Sequence, residues 1–210
     1  MYVKKHIFVL IVSIMVIAMI SACSSSPKVS RVDADTQVDL SGRWNDTDVR
    51  QVCESLINAC LTAPRVSQYI QEYVAQHNGD IPTVLVGSFK NTSSEHIDTS
   101  IISKMMENAI INSGKLEFVA GGDTRAELRA ERQDQQGNAS EETASSLGNE
   151  TGANFLLTGS VKAMVDRAGN TSVRAYFVDA QLTNIETNRI LWSDQNSDIK
   201  KIIQQPKAKL

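Results

Sequence analysis

Cysteines, histidines and carboxylates are the residues of this chain best equipped for chemistry, and their spacing sorts them quickly. Cys23 ends the run Ile20-Ser21-Ala22-Cys23. An aliphatic residue, two small residues and a cysteine form the bacterial lipobox, read by a peptidase once the thiol carries diacylglycerol. Cleavage before Cys23 frees an amine that accepts a further acyl chain such as palmitate. Each buried methylene contributes roughly 0.8 kcal/mol, so two or three chains together give lasting membrane attachment. The competing reading is an ordinary signal anchor with a chance cysteine. Against it stands the apolar run Ile7–Ile20, interrupted by Ser13 and preceded by Lys4 and Lys5. That run is about 14 residues, short of the roughly 20 that a membrane-spanning helix requires, and it fits a cleaved secretory signal. Ser24, where an aspartate would hold a lipoprotein at the inner membrane, favours the outer membrane.

The other candidates are weaker. Cys53 and Cys60 lie seven residues apart in a stretch that reads as helix, which separates them by roughly 10 Å along the axis. A disulfide needs Cα atoms within about 7 Å, so a continuous helix makes them two small buried apolar residues. A helix broken between them would let an oxidising compartment join them. His6, His77 and His96 are too scattered for a metal cluster, and neither cysteine has a histidine at zinc spacing. Ser88 and Ser160 sit in no nucleophile elbow; Gly87-Ser88 and Gly159-Ser160 read as points of tight sheet packing. Glu141-Glu142 reads as helix-start charge and Asp179 as a polar strand position. No catalytic set, metal site or cofactor is expected, and the chain reads as a non-catalytic regulator or binding module.

One charged segment stands out, Arg125 to Gln135. On a helix Arg125, Leu128, Arg129 and Arg132 share a face, while Glu127, Glu131 and Asp134 share another. Like charges stack on like, so each stripe needs neutralising from outside the helix. Either Leu128 points inward and its arginines reach carboxylates at the domain rim, or the arginine face docks an acidic partner surface. Trp44 is a further possible partner contact; it packs under the first helix or stands exposed.

The elements that must position these residues follow from periodicity. A polar tether, Ser24 to about Leu40, reaches at most roughly 55–60 Å fully extended. A helix capped by Asp46 or Thr47 runs through Leu61, with Val49, Val52, Cys53, Leu56, Ile57 and Cys60 at helical spacing. After Pro64 a second helix ends near Asn78-Gly79. Ile81–Phe89 reads as a buried strand, and Thr92-Ser93-Ser94-Glu95 as a capping box. The helix it would introduce carries Ile97, Ile101, Ile102, Met105, Met106, Ala109 and Ile110 on one core-facing stripe and stops at Gly114. A short strand at Leu116–Val119, a polar helix at Thr124–Gln135 and a further helix at Glu141–Asn149 follow. The last third is β-rich: Asn154–Val165, Ser172–Thr183 and Arg189–Asp194, joined by turns and therefore antiparallel. The fold class is α/β: a single sandwich domain with a mixed, mostly antiparallel sheet of about four to five strands flanked by helices. Residues 1–22 are assigned to the signal, 23–40 to the lipidated cysteine and tether, and 41–210 to the globular domain.

A net charge of −3 argues against nucleic acid as a partner. Hydrophobic and charged contents of 41% and 21% are those of a globular domain.

Several runs resemble the penicillin-binding protein activator LpoB family. They are Gly42-Arg43-Trp44-Asn45-Asp46-Thr47-Asp48, Ser94-Glu95-His96-Ile97-Asp98-Thr99, Asn112-Ser113-Gly114-Lys115 and Arg129-Ala130-Glu131-Arg132-Gln133-Asp134-Gln135, with Asn184-Ile185-Glu186-Thr187-Asn188 and Ile190-Leu191-Trp192 near the end. The resemblance covers about Val38 to the C-terminus. It implies an α/β domain on an outer-membrane lipid anchor, facing the periplasm, that binds and activates a bifunctional peptidoglycan synthase (a penicillin-binding protein) without catalytic residues of its own. The alternative is an envelope lipoprotein serving as an assembly or secretion-channel accessory.

Overall fold

The computed structural model describes residues 6, 29–33, 36–140, 145 and 150–205. The apolar signal run, Cys23 and most of the expected helix at Glu141–Asn149 lie outside the described residues. The chain divides into two compact units, Met1–Thr36 and Gln37–Leu210. In the first, the Thr36 N–H donates to the Asp33 carbonyl at 3.0 Å. All the elements below belong to the second.

Helix α1 spans Asp46–Thr62. Its cap is Asn45, one residue before the expected position: the Asn45 side chain accepts from the Asp48 N–H at 3.1 Å, and Asp48 Oδ2 accepts from the Asn45 N–H at 2.9 Å. This reciprocal box satisfies two donors that the first turn leaves open. The expected periodicity holds, with Val52, Cys53, Leu56 and Cys60 all buried. Fully burying a leucine such as Leu56 contributes roughly 1.5–3 kcal/mol. Helix α2, Pro64–Gln76, starts directly after, with proline in its first turn where no N–H is missed. Because α1 is unbroken, Cys53 and Cys60 are free thiols in the core, and burial pushes each up to about 12.

Strand β1 runs Thr83–Asn91 and helix α3 Thr99–Ser113. The cap of α3 is Asp98, whose carboxylate accepts from the Ser100 N–H at 3.0 Å. Thr92–Glu95 is therefore not the capping box expected of it. Asn91 Oδ1 closes that turn by accepting from Ser93 N–H and Oγ–H at 2.9 and 2.7 Å, and Glu95 turns inward. Ile102, Met106 and Ile110 are buried, whereas Ile101 is half exposed, so the core-facing stripe is narrower than the sequence suggests. Gly114 ends the helix at φ 62°, a left-handed cap that suits glycine.

Strand β2 (Glu117–Phe118), helix α4 (Gly122–Asn138), and strands β3 (Phe155–Ala168), β4 (Thr171–Asn184), β5 (Ile190–Asn196) and β6 (Lys200–Gln204) complete the unit. The sheet order is β2-β1-β3-β4-β5, with β6 also pairing β4. β1 is parallel to β2 and β3; the pairs that β4 makes with β3, β5 and β6 are antiparallel. The mixed α/β architecture is as expected, with β6 as an added sixth strand.

On β4 the burial alternates: Tyr176, Val178, Ala180, Leu182 and Asn184 face the core. Helix α1 packs on β4 and β5 and on helices α2 and α3, and α3 packs on β1 and β2. Gly159 on β3 is held tight: a Cβ there would lie 2.2 Å from the Asp179 carbonyl oxygen and 2.3 Å from the Phe89 ring. The Phe89 ring fills the space that a side chain at 159 would take.

Candidate functional site

The arginine segment lies on α4, which has no buried residue. Gly121, its cap, sits against Leu85, where a Cβ would fall 2.3 Å from a leucine methyl. Arg125 Nε donates to the Ala120 carbonyl at 2.9 Å. Arg129 grips Glu150 with both arms of its fork, at 2.8 and 3.0 Å. Arg132 Nη1 donates to the same carboxylate at 2.9 Å. These bonds, with Arg129 first, hold the Glu150 carboxyl below the usual carboxylate range. Leu128 is 44% exposed and borders a small cavity of ≈ 130 Å³ beside Val119, Ala120 and Thr151. The arginine stripe is thus occupied by one carboxylate and one carbonyl of its own domain. Glu127, Glu131 and Asp134 remain exposed on the outer side.

Trp44 is placed elsewhere, half-buried, its ring edge-on to Tyr176 with centroids 5.1 Å apart and planes at 62°. Its Nε1 is buried and has no hydrogen-bond partner among the described residues. The structure therefore does not bring Trp44 and the arginines into one cluster; each belongs to its own polar assembly.

The assembly around Trp44 is the more deeply built of the two. Tyr176 Oη donates to Glu95, 2.8 and 3.0 Å from its two oxygens. Arg174 Nε lies 2.9 Å from Glu95 Oε1, an ion-pair distance, although the N–H is not aimed along it. The Arg174 and Glu95 side chains are 12% and 8% exposed. Burial and the Glu95 carboxylate together push the Tyr176 phenol well above its usual range. Arg174 Nη1 donates to the Gly42 carbonyl at 3.3 Å, and the Trp44 N–H reaches Glu95 at 3.4 Å. On β6, Lys201 lies 2.7 Å from both Asp39 and Asp48 and donates to the Arg43 carbonyl at 2.9 Å. The Lys201 bond holds the Asp39 carboxyl below its usual range. Two cations, Arg174 and Lys201, thereby strap the Asp39–Trp44 segment across the end of β4 and β6.

Sequence reasoning read Glu95 as a capping residue and passed over Arg174, Tyr176 and Lys201. One signal was available: Arg174 lies in phase with Tyr176, Val178 and Ala180, so a charge was due to face the core side and would need a buried partner.

Ser160 Oγ donates to Asp179 Oδ1 at 2.7 Å and Lys162 Nζ lies 3.0 Å from the same oxygen, on the outer face of the sheet. Among the described residues no group of three or more His, Cys, Asp or Glu is placed to hold a metal ion.

With this geometry in hand, comparison with known proteins is direct. A protein-family model described as "Peptidoglycan-synthase activator LpoB" matches residues 48–197. Among solved structures, the LpoB C-terminal domain of Salmonella enterica is similar at 19% identity, covering 75% of this chain and 99% of that one, with a TM-score of 0.38. The NMR structure of Escherichia coli LpoB is similar at 18% identity, covering 88% and 86%, with a TM-score of 0.40. Lipoprotein GNA1162 of Neisseria meningitidis is similar at 15% identity, covering 60% and 88%, with a TM-score of 0.36. No curated protein matches the chain.

Proposed function

The chain belongs to the peptidoglycan-synthase activator LpoB family, and from that premise we propose that it binds a bifunctional peptidoglycan synthase and raises its activity as a non-catalytic regulator. The observation that carries this reading is the extent of the family match, which begins inside α1 and ends just past β5. It takes in the core helix, strands β1 to β5 and the arginine helix together.

In this reading Cys23 carries the acyl chains that hold the protein to the outer membrane, and the compact unit faces the periplasm. The unit that carries the sheet begins at Gln37; fully extended, the 13 residues Ser24–Thr36 would span at most roughly 45 Å. The synthase must present its contact face within that reach. Activation needs differential affinity: a partner shifts an equilibrium only by how much better it binds the active state. A tenfold stimulation at saturation corresponds to about 1.4 kcal/mol of such preference.

Crosslinking in intact cells, followed by affinity purification of the anchored protein, tests the partner directly. A bifunctional synthase among the crosslinked neighbours supports the reading. Recovery of a secretion or assembly channel in its place would transfer the protein to another envelope role.

A further inference from the structure

The β3–β4 turn and the strapped segment enclose a pocket of ≈ 390 Å³ that lies apart from the arginine helix. Strand register builds it. Arg167 pairs with Ser172, and Ser172 and Arg174 are two apart on β4, so all three side chains project from one face of the sheet. Ser41 and Arg43, in the segment that Arg174 and Lys201 hold down, form the facing wall, and Thr171 closes the turn end.

The charge balance of this pocket is one-sided. Among the described residues its lining carries Arg43, Arg167 and Arg174 and no acidic residue. Arg174 is matched by Glu95, and the nearby Asp39 and Asp48 are both engaged by Lys201. Among the described residues Arg43 and Arg167 have no ion-pair partner within 4.0 Å. Two guanidinium groups without an ion-pair partner among the described residues therefore face one cavity, whose lining includes Ser41 and Ser172. Guanidinium forks bind oxyanions through paired N–H bonds, and the hydroxyls supply further donors. A phosphate group carries about −1.5 to −2 near neutral pH, which two open cations balance; a single carboxylate would leave one unmatched. The volume falls in the range of small-ligand sites, roughly 300–1,000 Å³, enough for a phosphate and what it is attached to.

We propose that this pocket binds a multiply charged phosphate group, a phosphomonoester or diphosphate, carried by a soluble ligand or by a lipid headgroup. The proposal stands independently of the synthase, and its test needs none.

Calorimetric titration of the full chain in neutral detergent, with inorganic pyrophosphate as probe, provides that test. The expected result is saturable 1:1 binding with a Kd below about 1 mM at physiological salt. Arg43→Gln and Arg167→Gln each weaken it about tenfold or more, with thermal midpoints unchanged because both side chains are exposed. Arg65→Gln, a surface arginine outside the pocket, leaves binding intact. Phosphatidic acid added to the micelles separates the sources: displacement of pyrophosphate assigns the site to a lipid headgroup, and retention assigns it to a soluble phosphate. The proposal is overturned by no saturation up to about 10 mM, by undiminished binding when Arg43→Gln and Arg167→Gln are combined in one chain, or by succinate binding as tightly as pyrophosphate.

Discussion

Replacing Glu95 by glutamine is the sharpest perturbation of the strap, because the change is nearly isosteric and removes only charge. Glu95 accepts from Tyr176 Oη, neighbours Arg174 at 2.9 Å and receives the Trp44 N–H. Glutamine keeps an acceptor for the phenol but leaves the Arg174 guanidinium without its counter-charge at 12% exposure. Removing one partner of a fully buried pair costs about 3–5 kcal/mol. Arg174 retains the Gly42 carbonyl and a sliver of solvent contact, so the expected loss falls below that of a fully buried pair, at roughly 2–3 kcal/mol. For a domain of this size that lowers Tm by roughly 4–12 °C. Urea unfolding monitored by tryptophan fluorescence measures both the loss and the loosening of Trp44 from Tyr176. Arg174→Met in the Glu95→Gln background removes the stranded cation and should recover part of the loss, as a double-mutant cycle reports. A loss under about 0.5 kcal/mol, or a double variant less stable than Glu95→Gln by the full cost of Arg174→Met alone, refutes the strap.

Other outcomes follow from the same geometry. Gly159→Ala sets a Cβ against the Asp179 carbonyl and the Phe89 ring, so it should destabilise the unit by about 1–3 kcal/mol, read by urea denaturation. Cys53 and Cys60 should resist a maleimide at pH 8 in the folded protein and react once urea unfolds it, because burial holds both thiols protonated. Their folded values near 12 lie above the ordinary 9.0, so the stability they contribute is fully present below pH 9 and should drain away as pH rises from 9 toward 12. In the acid direction, Asp39 is lowered from 3.8; its contribution is present above that value and lost as pH falls below it, releasing the segment from Lys201. Glu150→Gln should loosen the end of α4 from the domain, seen as faster amide exchange from Arg125 to Gln135, with the sheet core unchanged.

Much of this fold was legible because it rests on local pattern. The stripe from Ile102 to Ile110 and the glycine at 114 report one helix and its end, and the β3 and β4 alternation reports a sheet with one buried face. What escaped the sequence rests on contacts between distant residues. Glu95 sits in a local string that resembles a capping box, and only Tyr176, 81 residues away, turns it inward. Strand β6 has a Lys-Lys-Ile-Ile sequence with no clean two-residue alternation, because Lys201 faces the strap as a buried counter-charge while Ile202 is 68% exposed. The α1 cap shifted by one residue because Asn45 and Asp48 satisfy each other. The arginine helix was visible as an anomaly, yet its counter-charge, Glu150, lies 18 and 21 residues further on. The pocket of Arg43, Arg167 and Arg174 was invisible altogether, since only strand register brings those positions together.

Activation of a synthase is read out by a reconstituted glycan-polymerisation assay. A purified bifunctional peptidoglycan synthase from the same envelope would be assayed on lipid-linked precursor with and without the full-length lipoprotein. The expected result is a saturable rise in polymerisation rate, at protein concentrations matching the binding measured for the pair. Unchanged rates with no detectable binding to any synthase of that envelope would contradict it.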